Sequence, residues 1–210
     1  GSTEISTMPF MSTTEDTLGN IECRIWRSGY TGEDGYEISI RSVDAVRITE
    51  LLLADEAVGL AGLGARDSLR LEAGLCLYGH EIDETTTPVE AALTWSISKR
   101  RREKGGFPGA ETVQSQIAHG TARKRVGILP DGKAPAREGT EITDADGNSI
   151  GMVTSGGFGP SYGGPVAMGY VEISHAAKDT PVQLVVRGKP RSARIVGMPF
   201  VPNRYYRGKE

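Results

Sequence analysis

Short apolar runs separated by turn residues dominate the chain after Gly120 and limit what it can fold into. Six such runs occur in roughly ninety residues, at 126–129, 140–143, 150–154, 166–171, 182–186 and 193–196. Two of the breaks, 144–148 and 187–190, contain the glycine, proline, aspartate and asparagine that hairpin turns favour. Fifteen of the 28 glycines follow His119, and we attribute them to tight turns between strands. The pattern predicts a small closed barrel or sandwich that begins near residues 119–122.

Strands separated by a glycine-rich loop are predicted near the start of the chain. Ile21, Cys23 and Ile25 alternate with charged residues, as in a half-buried strand. The loop 29–35 contains three glycines, and the alternating residues that follow it predict a second strand around 36–40. In that strand Glu37 is expected to project from the face opposite to its apolar neighbours.

Helices are predicted at four places in the first 120 residues. An amphipathic segment at 43–58 has Ser42 as a candidate cap, and a second helix at 65–73 is expected to end at Gly74. Thr87 and Glu90 have the spacing of a capping box and predict a helix that begins at Pro88. A fourth helix is predicted at 110–119 and stops at Gly120. Mixed helices and strands followed by strands alone indicate an α+β portion at 1–119 and a β domain at 120–210.

Composition argues against several classes of partner. The formal net charge of −3 and the pI of about 5.7 are unfavourable for nucleic acid or an anionic membrane, which require basic surfaces. No apolar run approaches the roughly 20 residues of a membrane span. Two cysteines are too few for a disulfide framework, and a reducing compartment fits them best. The three histidines are scattered without helical pairing, so we expect no metal site.

Four local features remain as candidates, each with an ordinary structural alternative. Glu37 is either a binding carboxylate or a solvated glutamate, and Arg66 is either a ligand contact or part of a surface ion pair. Trp95 is either a ligand contact or a core aromatic residue. The basic run 99–102, followed by Lys104, is either a solvated patch or a surface that attracts an acidic protein partner.

Two long motifs resemble the T-protein of the glycine cleavage system, an aminomethyltransferase: YTGEDGYE at 30–37 and ARDSLRLEAGLCLYG at 65–79. Further segments resemble the same family in the same order, at 86–95, 99–102, 107–110, 154–156, 167–171, 199–202 and 205–206. The resemblance covers nearly the whole chain from about residue 9. It implies a partial folate-binding α+β domain followed by an antiparallel Greek-key β-barrel.

The resemblance also implies a reaction and a set of binding residues. Ammonia would be released from the aminomethyl-lipoyl arm of the H-protein, and the one-carbon unit would form methylene-tetrahydrofolate. Tetrahydrofolate would be the co-substrate and lipoylated H-protein the partner. A carboxylate suits the pterin N–H donors, aromatic rings suit the fused ring, and arginine suits the anionic tail. By similarity to the family, Glu37 is expected to accept hydrogen bonds from the pterin, and Tyr30 is expected to line the same cavity. The tail and linker are expected to meet Arg66, Trp95, Arg125 and Tyr205, for which Tyr206 is an alternative. Glu37 and Arg66 are therefore expected to converge on one cavity.

One family residue is not expected within these 210 residues. The aspartate credited with assisting ammonia release lies in the amino-terminal half of family members, so we expect little or no turnover from this chain alone. An alternative assignment is the folate-binding module of a dimethylglycine or sarcosine oxidising enzyme. The expected compartment is the cytoplasm for a bacterial source and the mitochondrion for a eukaryotic one.

Overall fold

The computed structural model describes residues 3–208 and divides them into two compact units. One unit contains the described residues up to Arg70 together with those from Pro202 onward, and the other is Leu71–Val201. No helix among the described residues is long and apolar enough to cross a membrane. The predicted division of the chain at 119–120 stays a prediction.

A three-stranded antiparallel sheet is the centre of the first unit. Its strands are β1 (Ser12–Leu18), β2 (Ile21–Arg27) and β3 (Glu37–Ser39), in the order β1-β2-β3. Ile21, Cys23 and Ile25 are buried and the charged residues between them are exposed, which confirms the predicted alternation. β1 was not predicted because its sequence, STTEDTL, has no apolar alternation to reveal it.

Helices α1 (Thr3–Thr7), α2 (Ala45–Leu53) and α3 (Leu63–Glu72) complete the first part of the chain. Two details of the predicted helix at 43–58 are wrong. Ser42 belongs to a short 3-10 turn, Ser42–Asp44, and is not the cap of α2. The helix also ends at Leu53, because the Asp55 carboxylate accepts a hydrogen bond from Ala57 N at 2.9 Å and so stabilises a turn that competes with the helix.

The capping box at Thr87 forms, but the helix predicted after it does not. Glu90 N donates to Thr87 Oγ1 at 3.2 Å, and Thr87 N donates to Glu90 Oε2 at 3.1 Å. The backbone then makes only turns, and Ala92 adopts a left-handed φ of 58° that ends them. The prediction of a helix beginning at Pro88 is therefore wrong, because the carbonyls of Glu90 and Ala91 accept hydrogen bonds from N and Nε of the distant Arg125 instead of from a following helical turn.

Two further helices precede the barrel. α4 (Lys99–Lys104) is formed by the basic run, which sequence analysis did not assign to a helix. α5 (Ala110–His119) confirms the prediction, and Gly120 ends it with a φ of 87°. The helix predicted at 65–73 is also confirmed as α3, followed by Gly74 with a φ of 68°.

Six strands close into an antiparallel barrel in the second unit: β4 (Arg123–Pro130), β5 (Glu141–Thr143), β6 (Ser149–Gly159), β7 (Gly164–Glu172), β8 (Pro181–Val186) and β9 (Lys189–Val196). Their order is β4-β7-β6-β5-β8-β9, and β4 also pairs with β9 to close the barrel. Hairpins join β5, β6 and β7 in sequence, and β4 lies beside β7, which is the Greek-key arrangement. Ile128, Ile142 and Leu184 are fully buried in the barrel core.

Two different structural requirements account for the glycines of the barrel. At the predicted hairpin 187–190, Arg187 and Gly188 both have positive φ, as a two-residue turn of this hand requires. Seven of the fifteen glycines, however, lie inside strands: 127, 151, 156, 157, 159, 164 and 169. A Cβ on Gly156 would stand 2.0 Å from the Ala136 carbonyl oxygen. Close backbone approach therefore explains part of the glycine content that we attributed to turns.

Candidate functional site

Arg66 and Tyr30 lie in contact within the first unit. Arg66 belongs to α3, and its guanidinium carbon stands 4.9 Å from the centroid of the Tyr30 ring, which the glycine-rich loop carries. Arg66 is exposed, and no carboxylate forms an ion pair with it among residues 3–208. The Tyr30 ring thus positions the Arg66 guanidinium, and the charge of Arg66 stays available to bind an anion.

Glu37 is the first residue of β3 and pairs in register with Trp26 on β2. Its side chain is exposed, in agreement with the predicted face, and its Oε2 accepts a hydrogen bond from Ser28 Oγ at 2.5 Å. Ser28 and Glu37 flank the loop 29–35, so this hydrogen bond joins the two ends of the loop. The convergence of Glu37 and Arg66 on one cavity remains a prediction.

The carboxy-terminal segment contributes Tyr205 and Tyr206 to the first unit. The Tyr205 ring stacks on Phe10 at 3.9 Å with an interplanar angle of 11°, and burial raises the pKa of its hydroxyl. The Tyr206 ring lies 4.1 Å from the guanidinium carbon of Arg27. Both tyrosines therefore have aromatic or cationic neighbours of their own, and a Tyr205 contact to folate stays a prediction.

Arg27 and Asp34 form an ion pair that sequence analysis missed. Arg27 Nε and Nη2 donate to the two Asp34 oxygens at 3.0 and 2.6 Å, and Nη1 donates to the carbonyls of Ser6 and Met8. Hydrogen bonds from Arg27 hold the pKa of the Asp34 carboxyl below its ordinary value. Position 27 continues the buried face of β2. An arginine at a position that the alternation predicts to be buried was the signal that could have indicated a buried ion pair.

Trp95 and Arg125 belong to the second unit and differ sharply in exposure. Trp95 lies in a 3-10 turn, Thr94–Ser96, and is 77% exposed, so the alternative of a core aromatic residue is wrong. Arg125 lies on β4 and is 5% exposed. Its Nε donates to the Ala91 carbonyl at 2.8 Å, and its Nη1 donates to the Gly74 carbonyl at 3.0 Å.

Two buried carboxylates in the second unit also escaped sequence analysis. Glu72 Oε1 accepts hydrogen bonds from the backbone N–H groups of Ser161 and Tyr162 at 2.7 and 2.8 Å. Glu81 Oε1 accepts from Thr154 Oγ1, and its Oε2 accepts from Leu77 N. These contacts join distant parts of the unit, and the apolar neighbours of both residues in the sequence gave no indication of them.

The fold and these residues define a class of protein. It has a Greek-key barrel, and its other unit contains a glycine-rich loop, an exposed carboxylate and an exposed guanidinium. Residues 2–101 match the family model of the GCVT N-terminal domain, and residues 123–202 match the model of the glycine cleavage T-protein C-terminal barrel domain. The chain belongs to the glycine cleavage T-protein family.

Relatives from distant organisms agree with this assignment. The mitochondrial aminomethyltransferase of Dictyostelium discoideum is 50% identical over 96% of this chain and 52% of its own length. That of Gallus gallus is 47% identical over 98% of this chain and 53% of its own length. The crystal structure of the glycine cleavage system aminomethyltransferase T from Bartonella henselae superposes with a TM-score of 0.90 at 47% identity, covering 96% of this chain and 55% of that one. The chain thus spans about half the length of the relatives it matches.

Proposed function

We propose that this chain forms the folate-binding part of an aminomethyltransferase of the glycine cleavage system. The complete reaction would release ammonia from the aminomethyl-lipoyl H-protein and form methylene-tetrahydrofolate. If the source is eukaryotic, the proposed compartment is the mitochondrion, as the names of the relatives from Dictyostelium discoideum and Solanum tuberosum state for those proteins.

The observation that carries this proposal is the exposed Arg66 guanidinium held over Tyr30 without an ion-pair partner among the described residues. Such a group binds a carboxylate such as that of a folate tail at little cost, because no internal salt bridge has to break. Glu37, at the end of the same glycine-rich loop, offers a carboxylate to the adjacent N–H donors of a pterin.

Trp95, Arg125 and Tyr205 have proposed roles of different kinds. Trp95 is exposed enough to stack on a bound ring directly, and Tyr205 presents a partly buried ring. Two of the Arg125 nitrogens already donate to backbone carbonyls. Any contact of Arg125 with folate would therefore have to be shared with those bonds.

Titration calorimetry with tetrahydrofolate tests the binding proposal. Glu37→Gln and Arg66→Met should each weaken binding by about ten- to a hundredfold, since each removes charge-assisted hydrogen bonds. Glu22→Gln and Arg41→Met are the matched controls, because both residues are exposed in the same unit. Equal losses in the site variants and the controls would refute the assignment of Glu37 and Arg66.

The complete reaction is proposed for a chain of the relatives' full length, since the present chain spans about half of that length. We expect turnover by the 210 residues alone to be very low. An assay of ammonia release from aminomethylated, lipoylated H-protein measures this directly, and turnover by this chain at the rate of a full-length relative would contradict the expectation.

A further inference from the structure

The basic helix α4 has a charge distribution that its own stability does not explain. Four of its six residues, Lys99 to Arg102, are consecutive cations, and Lys104 is a fifth. Cations near the last turn complement the partial negative charge of a helix C-terminus. Lys99 and Arg100 instead occupy the first turn, where the first turn has no acidic residue and a positive charge opposes the helix dipole. The dipole of α4 therefore does not account for these two residues.

The cations at the two ends of α4 are also accessible. Lys99, Arg100 and Lys104 are exposed. Lys99 has an acidic neighbour, Glu103, at 3.8 Å, but no carboxylate forms an ion pair with Arg100 or Lys104 within residues 3–208. The chain as a whole has a net charge of −3, so this cluster is a local reversal of the prevailing sign. We call Lys99, Arg100 and Lys104 the α4 basic surface.

Hydrogen bonds within the second unit anchor the backbone of the helix that carries the α4 basic surface. Gln114 on α5 donates through Nε2 to the carbonyls of Arg102 and Glu103, at 3.0 and 3.1 Å. Arg101 donates to the carbonyl of Gly106. A partner therefore does not have to order the α4 backbone, which lowers the entropy cost of association.

We propose that the α4 basic surface is a docking surface for an acidic protein surface, and that its occupant is the lipoylated H-protein. The identity of this occupant rests on the proposed function. Charge complementarity at such a surface accelerates encounter and orients the partner more than it adds affinity. On this proposal, the two cations that oppose the helix dipole serve association and not folding.

Replacing the two N-terminal cations tests this surface without weakening its helix. Lys99→Gln with Arg100→Glu removes two positive charges and adds one negative charge, and a glutamate at position 100 complements the dipole and faces Lys104 four residues on. Lys189→Gln with Arg191→Glu makes the same charge change on exposed β9 positions and is the control. The melting temperature of the α4 variant should stay within about 2 °C of the wild-type value.

Association with lipoylated H-protein is measured by stopped flow at 25 and 150 mM NaCl. We expect the α4 variant to lower the association rate constant about tenfold at low salt, and the β9 control to change it less than about threefold. The difference should shrink at the higher salt. Equal rates for the two variants would overturn the docking surface while leaving the partner in place. A wild-type chain that does not associate at either salt concentration would overturn both the docking surface and the proposed partner. Tetrahydrofolate binding is measured separately by calorimetry and would not be affected by that result.

Discussion

Replacing Arg27 with lysine keeps a positive charge at a buried position but removes the planar guanidinium. Arg27 is 6% exposed and makes four hydrogen bonds, two with Asp34 and two with the carbonyls of Ser6 and Met8. Its guanidinium carbon also lies 5.2 Å from the centroid of the Tyr36 ring and 4.1 Å from that of the Tyr206 ring. A single ammonium cannot reproduce both the paired bonds to a carboxylate and the bonds to two separate carbonyls.

The expected cost follows from the contacts that lysine cannot make. Two lost charge-assisted hydrogen bonds at about 1.5 kcal/mol each give about 3 kcal/mol of lost free energy of unfolding. Arg24→Lys is the control: Arg24 lies on the opposite face of β2, its side chain is 54% exposed, and its partner Glu15 is 74% exposed. Exposed ion pairs contribute about 0–1 kcal/mol, so this change should cost less than about 0.5 kcal/mol.

Tryptophan fluorescence can follow urea unfolding from a position within the first unit. The chain has two tryptophans, and Trp95 belongs to the second unit, where it is 77% exposed. In a Trp95→Phe background the fluorescence comes from Trp26, which neighbours Arg27 on β2. A loss of about 3 kcal/mol should lower the urea midpoint by about 1–3 M. A midpoint for Arg27→Lys that matches the Arg24→Lys midpoint would refute the view that the guanidinium organises this unit.

Two further predictions use the same measurements. Gly156→Ala should lower the free energy of unfolding of the barrel by about 2–3 kcal/mol, since its Cβ would stand 2.0 Å from a backbone oxygen. Gly157→Ala is the control and should cost under about 1 kcal/mol, because the nearest atom to its Cβ is 3.7 Å away. Equal shifts of the melting temperature for the two variants would contradict this prediction. Asp34 has a folded pKa below its ordinary value of 3.8 because of hydrogen bonds from Arg27, so its stabilisation is complete above that pH and disappears as the pH falls through the folded pKa. The wild-type urea midpoint should therefore fall more steeply between pH 5 and pH 3 than the Asp34→Asn midpoint, and parallel pH profiles would exclude this linkage.

The barrel was predictable from the sequence because each strand carries its own local signal. Short apolar runs and turn residues identified all six strands, although β6 continues from Ser149 to Gly159, five residues beyond its predicted end. The extension was hidden because Gly156, Gly157 and Gly159 are typical of a turn when only local sequence is considered. At Gly156 and Gly159 the cause is the close approach of the Ala136 carbonyl oxygen and the Glu72 side chain, which local sequence does not contain, whereas Gly157 has only ordinary contacts.

Long-range partners explain the other errors. The Thr87–Glu90 pair has a correct cap, but Glu90 Oε1 also accepts a hydrogen bond from Arg123 on β4, thirty-three positions later. Arg27 and Asp34 are only seven residues apart, yet the two backbone carbonyls that complete the arginine site come from residues 6 and 8. Propensity and periodicity report what a segment prefers alone, and tertiary contacts decide these cases.

The partners of the arginines separate residues that hold the fold from residues that are free to bind. Arg27 and Arg125 are buried, and their contacts are to protein groups, so substituting either one should first be judged by stability. Arg66 and Arg100 are exposed and have no ion-pair partner among the described residues, and Arg100 also opposes the dipole of its own helix. An exposed arginine without an internal partner can meet a ligand without breaking an ion pair, and the dipole of α4 does not account for Arg100. For that reason we propose folate binding for Arg66 and docking for Arg100, and we expect substitution of Arg125 to change folate affinity chiefly through the stability of the segments at Gly74 and Ala91.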